Sequence, residues 1–162
     1  MCVVIVIAVI AASNGAVATV DRFGELVLLE DFPVRDTGGK LVVDTDKLAW
    51  LIRASRAKSE AGRVCAILDR TELTGGAFVA RTREVLDATN TRLELSPRGW
   101  RSEYGVQSDS ETTIAKAALA APSARLDGPC GVNRARVLLL ARLVWRQSRQ
   151  RPRSKTPRMV AA

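Results

Sequence analysis

The sequence predicts an α/β domain: a mixed five-stranded sheet, with three antiparallel strands followed by parallel ones, and helices on both faces. Three observations predict it. The run from Val3 to Ala12 is apolar and largely β-branched, the pattern of a strand covered on both sides. Two turn signals, Ser13-Asn14-Gly15 and Arg22-Phe23-Gly24, follow in close succession and fold the next strands back on the first. A helical pattern then separates those strands from a further apolar run, and a helical crossover joins parallel strands.

Each element can be justified in order. Ala16 to Val20 is the second strand, and Glu25 to Glu30, E-L-V-L-L-E, is the third, ended by Asp31-Phe32-Pro33. Asp36-Thr37-Gly38-Gly39-Lys40 reads as a loop. Asp44-Thr45-Asp46 offers an N-cap to a helix over Lys47 to Ala54, on which Leu48, Leu51 and Ile52 share one face. Arg63 to Asp69 is the fourth strand, Gly75-Gly76 a loop, Phe78 to Ala88 a helix, and Thr91 to Leu95 the fifth strand. Thr112 to Ala121 is an Ala-rich helix stopped by Pro122. Asn133 to Arg149 is a long helix, with Val137, Leu138, Leu140, Ala141, Val144 and Trp145 available for its buried side. Residues 1–149 form one domain on this reading. Residues 150–162, basic and broken by Pro152 and Pro157, form a disordered tail.

A chain of 162 residues suits a single core, and 47% hydrophobic with 26% charged residues is ordinary for one. The net charge of +8 is not ordinary, and it points to a polyanionic partner, above all nucleic acid. The chain has no histidine, which removes imidazole catalysis and imidazole metal ligands. Cys2, Cys65 and Cys130 are scattered and odd in number, so neither a disulfide framework nor a metal knuckle is expected. Cys2 to Val20 carries no charge, and two readings of it stay open. The turn signal in its middle and its β-branched residues favour strands, and no basic residue precedes it as in an export signal; the alternative is a membrane anchor or export signal before a small basic domain. A cytoplasmic location is expected.

The element order is that of the ribonuclease-H-like fold, and five sequence pieces carry a closer likeness. They are N-G-A-V-A at Asn14 to Ala18; E-L-V-L-L-E-D-F-P at Glu25 to Pro33 with V-V-D-T-D-K-L at Val42 to Leu48; the central strand Arg63 to Asp69; L-E-L-S-P-R-G-W-R-S-E-Y-G-V at Leu93 to Val106; and N-R-A-R-V-L-L-L-A at Asn133 to Ala141. In that order they resemble the RuvC-like Holliday-junction resolvases, from about Val3 to Trp145. The resemblance implies a homodimer that binds branched DNA, four-way junctions included, and hydrolyses phosphodiesters with two metal ions held on carboxylates.

The chain departs from the family where the chemistry should be. The first-strand acid falls at Ile10 or Ala11, the fourth-strand acid at Leu68, and the last-helix acids near Gly131 and Arg136. None of these is acidic, and no acid follows Asp127. Asp69 and Glu72 are the nearest acids; they read either as a relocated metal site or as solvated acids at a strand end. No confident catalytic residue, metal ligand or cofactor remains, and Mg²⁺ enters only if a residual carboxylate site survives. The residues expected to meet DNA are Arg98, Trp100, Arg101, Lys116, Arg134 and Arg136, continued by Arg142, Arg146, Arg149 and the basic tail. The Trp100 indole reads first as a core anchor, and Arg136 reads equally as a helix-surface residue. The expectation is a DNA-binding protein with weak or absent nuclease activity.

Overall fold

The computed structural model describes residues 4–58, 63–69, 76–103 and 110–150. Its elements run β1 (Val4–Ile10), β2 (Ala16–Val20), β3 (Leu26–Asp31), β4 (Val34–Thr37), β5 (Lys40–Val43), α1 (Thr45–Ala57), β6 (Arg63–Leu68), α2 (Ala77–Ala88), β7 (Arg92–Leu95), α3 (Trp100–Glu103), α4 (Ser110–Ala120) and α5 (Gly131–Gln150). The main sheet has five strands in the order β3-β2-β1-β6-β7. β2 is antiparallel to β1 and β3, while β6 is parallel to β1 and β7. The predicted meander, the crossover through α1 and the parallel pairing are all present.

β1 is apolar on every described side chain because it is central and both faces are covered. Val6, Ala8 and Ile10 join Ala117 of α4 and Ala135, Leu138 and Leu139 of α5 in one core. Ile7, Val9 and Ala11 join Leu48 and Ile52 of α1 and Val79, Val85 and Leu86 of α2 in the other. Helices therefore cover both faces, and the period-two alternation of β1 assigns its side chains between them. The middle of α5 is buried nearly all round, from Val137 to Ala141, because the sheet lies on one side and α4 on the other. Each large aliphatic side chain buried there contributes about 1.5–3 kcal/mol.

Two close approaches fix the corners. At Gly15 a Cβ would stand 1.9 Å from the Ile10 carbonyl oxygen, so the β1–β2 corner admits no side chain. At Gly24, where φ is +80°, a Cβ would fall 2.7 Å from the Trp145 ring. That indole donates to the Arg22 carbonyl at 3.0 Å and pins the end of α5 to the β2–β3 hairpin.

The structure corrects two expectations here and agrees with the favoured reading of a third. The Asp36–Lys40 loop is the tip of a separate hairpin, β4–β5, whose Gly38 and Gly39 both take positive φ, as a two-residue I′ turn demands. The Asp36 carboxylate accepts the Gly39 N–H at 2.7 Å and closes the turn. The stretch 4–20 is two strands and a corner, and no helix among the described residues is long and apolar enough to cross a membrane. A short helix, α3, stands where only a basic cluster was expected. The predicted N-cap is present: Asp44 accepts the Lys47 N–H at 3.1 Å. Residues 151–162, nearly all of the expected tail, lie outside the described residues, as does Glu72.

Candidate nucleic-acid interface

Strands β1, β6 and β7 run the same way, so their carboxyl ends share one edge of the sheet, and β3, reversed twice from β1, ends there as well. In open α/β sheets this edge is where ligands bind. The start of α5 is stitched to it. The Asn133 side-chain amide donates to the Asn14 carbonyl in the β1–β2 corner at 2.8 Å. Arg134 reaches Asp31 at the end of β3, Nε to Oδ1 3.2 Å, and donates to the Asp127 carbonyl. Arg136 donates to Asn133 Oδ1 at 3.1 Å. Gly131, which opens α5, is another position closed to side chains, since a Cβ would stand 2.0 Å from the Leu126 carbonyl oxygen.

The Cys130 thiol lies beside this junction. Burial pushes its pKa up, the Asp31 carboxylate pushes it further, and Arg134 pulls it back. This thiol is therefore a poor nucleophile at neutral pH.

At the ends of β6 and β7 stands a different cluster. Asp69 is 0% exposed, so it is not a solvated acid. Its Oδ2 accepts from Arg101 at 2.6 Å, and its Oδ1 faces the Trp100 indole N–H at 3.2 Å and the Ser96 hydroxyl at 3.5 Å. Its backbone extends the ladder, donating to the Val9 carbonyl, while Ser96 donates to the Leu68 carbonyl. A buried carboxylate requires such a shell, because an ion without partners in the interior is costly.

The DNA-facing expectations divide accordingly. Trp100 is 3% exposed and belongs to the core packed against α4 and α5, so it presents no face for a base. Arg101 is turned inward onto Asp69, with its side chain 20% exposed. Arg98 is exposed beside them. Lys116 is half-buried in the middle of α4. Arg134 is drawn to Asp31 with its side chain 15% exposed, and Arg136 is half-buried at the same end of α5. Arg142 departs from the expected basic stripe: it donates to the Gly24 and Ala120 carbonyls at 3.1 and 3.0 Å, tying α5 to the opposite edge and to the end of α4. Arg149 stacks over Trp145 with its guanidinium carbon 5.1 Å from the ring centre.

The positions at which the resemblance places carboxylates are not merely apolar. Ala11 and Leu68 lie in the core under α1 and α2, whereas Ile10 lies in the core under α4 and α5. All three are at most 1% exposed. A residue shifted by one along a strand changes face, and Asp69 accordingly meets Trp100 on the α5 side while Leu68 points to the other. Among the described residues no group of three or more acidic or thiol side chains converges as a metal site would need. The described residues at these positions offer no side-chain oxygen donors for a pair of Mg²⁺ ions, which require several in near-octahedral shells.

Sequence reasoning missed Asn133 and Asn14, the polar pair that positions Arg136. Their signal was the turn at Asn14-Gly15 and an asparagine in the first turn of α5, each too common to stand out. The chain matches no protein-family model, and it matches no curated protein.

Proposed function

We propose that this chain is a ribonuclease-H-like, RuvC-type protein that binds DNA, junctions among its substrates, without metal-dependent cleavage. The observation that carries the reading is the joint at the sheet's carboxyl edge. There the start of α5 brings Arg134 and Arg136 beside the β1–β2 corner, while the positions expected to hold metal are apolar, glycine or arginine. The strand order supports the fold assignment, and the net charge of +8 supports the partner. A half-buried guanidinium is a good phosphate ligand because it donates bidentately and is screened less than an exposed one. Asp69, the acid that follows β6, is itself paired with Arg101. On this reading the chain acts as a homodimer in the cytoplasm.

The test is a pair of assays on purified full-length protein with a four-way junction and a linear duplex. Binding is expected to weaken steeply with salt, and Mg²⁺ or Mn²⁺ is expected to produce no cut product. Efficient metal-dependent cutting by the pure chain overturns the inactive reading; affinity that does not respond to salt overturns the DNA reading.

A further inference from the structure

The β4–β5 hairpin and the start of α2 flank a cavity of about 550 Å³. That volume lies in the range of small-molecule sites. The pairing of Arg35 with Val42 and of Thr37 with Lys40 places two cations and a hydroxyl on one face of the hairpin. Arg81 on α2 adds a third cation, and among the described residues no carboxylate lines the space. Of the described acids beside it in the chain, Asp36 accepts the Gly39 N–H, Asp44 accepts the Lys47 N–H, Glu84 is paired with Arg81, and Asp46 sits in the first turn of α1. The cavity also has an apolar wall. Val42, paired with Arg35, lies on the same face as the cations, and Phe78, braced edge-on against Phe32 with ring centres 6.1 Å apart, remains half-buried.

Cations on the rim and an aromatic ring on the wall are complementary to one ligand class, a flat heterocycle carrying phosphate. We infer that this cavity is a nucleotide site: Arg35, Lys40 and Arg81 take the phosphate, and Phe78 and Val42 take the base. The positive end of α2, whose first turn holds no acid, adds to the same field. The inference is independent of the DNA interface, since it uses none of the same residues.

Calorimetric titration of the full chain with AMP, adenosine and inorganic phosphate tests it. AMP is expected to bind at least tenfold more tightly than adenosine or phosphate, because only AMP engages both walls. The double variant Arg35→Gln with Lys40→Gln, at exposed positions, is expected to lose at least tenfold in AMP affinity. Arg53→Gln with Arg83→Gln, exposed and outside the cavity, changes the net charge equally and is expected to stay within twofold. A thymidine oligonucleotide that displaces AMP identifies the occupant as a nucleotide within a strand; failure to displace it identifies a free nucleotide. No AMP binding at millimolar concentration, or equal losses in the two double variants, overturns the site. Arg136→Glu is expected to leave AMP binding unchanged, which separates this site from the DNA interface.

Discussion

At the ends of β6 and β7 a carboxylate is sealed among donors; at the start of α5 guanidinium groups lie half open over backbone carbonyls and an asparagine. Both clusters occupy the carboxyl edge of one sheet, and both contain arginine. Asp69 is fully buried and meets Arg101, Trp100 and Ser96, so its charge is spent inside the molecule. Arg136 is braced by Asn133, which is itself held by the β1–β2 corner. The difference teaches that charge on a functional edge is not by itself a functional group: the first cluster fixes the segment from Ser96 to Glu103 against the core, and the second presents a cation.

The sharpest way to break the comparison is to remove the buried acid. Asp69→Ala leaves Arg101 and the Trp100 indole without their partner in the interior, and breaking a buried pair in this way costs about 3–5 kcal/mol. Urea unfolding is expected to show that loss, while Arg136→Ala is expected to lie within about 1 kcal/mol of the parent, as most surface changes do. Comparable losses in the two variants would erase the distinction.

The next effect is steric. Replacing Gly131 by Ala places a Cβ 2.0 Å from the Leu126 carbonyl oxygen, and relieving a clash with backbone requires the start of α5 to move. A cost of about 1–3 kcal/mol is expected by thermal or urea unfolding. Gly131→Glu, which would restore an acid expected from the family likeness, meets the same obstruction. Unchanged stability in Gly131→Ala would show that the start of α5 is less tightly seated than its contacts indicate.

A smaller effect concerns binding. Arg136→Glu and Arg149→Glu change the net charge equally, but Arg149 stacks on Trp145 at the far end of α5. The first reversal is expected to weaken DNA binding about tenfold, equivalent to about 1.4 kcal/mol, and the second by no more than about threefold. Electrophoretic or anisotropy titrations at one fixed salt concentration decide it. Equal effects would remove the carboxyl edge as the contact surface and leave only diffuse attraction.

Much of the fold was legible because burial writes periodicity into sequence. The two-sided apolar pattern of β1, the turn at Ser13-Asn14-Gly15, the cap at Asp44 and the apolar middle of α5 each predicted the element that is present. The hairpin β4–β5 was not legible: its strands are four residues each, and Arg35, Asp36 and Thr37 supply no apolar alternation. The site was read less well still. Asp69 finds its partners 27 to 32 residues downstream, a pairing that no local pattern reveals. The same blindness made Trp100 and Arg101 look like a surface for DNA. A basic-aromatic cluster has one composition whether it faces solvent or a buried acid, and only the fold decides which.

The least of the expected effects reports on how firmly the start of α5 is neutralised. Cys130 precedes that helix, and its thiol is held above its ordinary pKa first by burial, then by Asp31, against the pull of Arg134. Asp31→Asn removes the second cause and leaves the third, so the pKa falls and the thiolate fraction at pH 8 rises. Arg134→Gln does the reverse. Alkylation of Cys130 by iodoacetamide at pH 8, with Cys2 and Cys65 replaced by serine and alanine, is therefore expected to be a few-fold faster in Asp31→Asn than in the parent and slower in Arg134→Gln. Burial, the largest cause, is untouched by either change, so neither variant brings the thiol to the reactivity of a free cysteine. If the rates do not move in opposite directions, the field between Asp31 and Arg134 is weaker than their 3.2 Å separation implies. Arg134 would then be less committed to Asp31 than the contact suggests, and the contrast with the sealed Asp69 cluster would grow sharper.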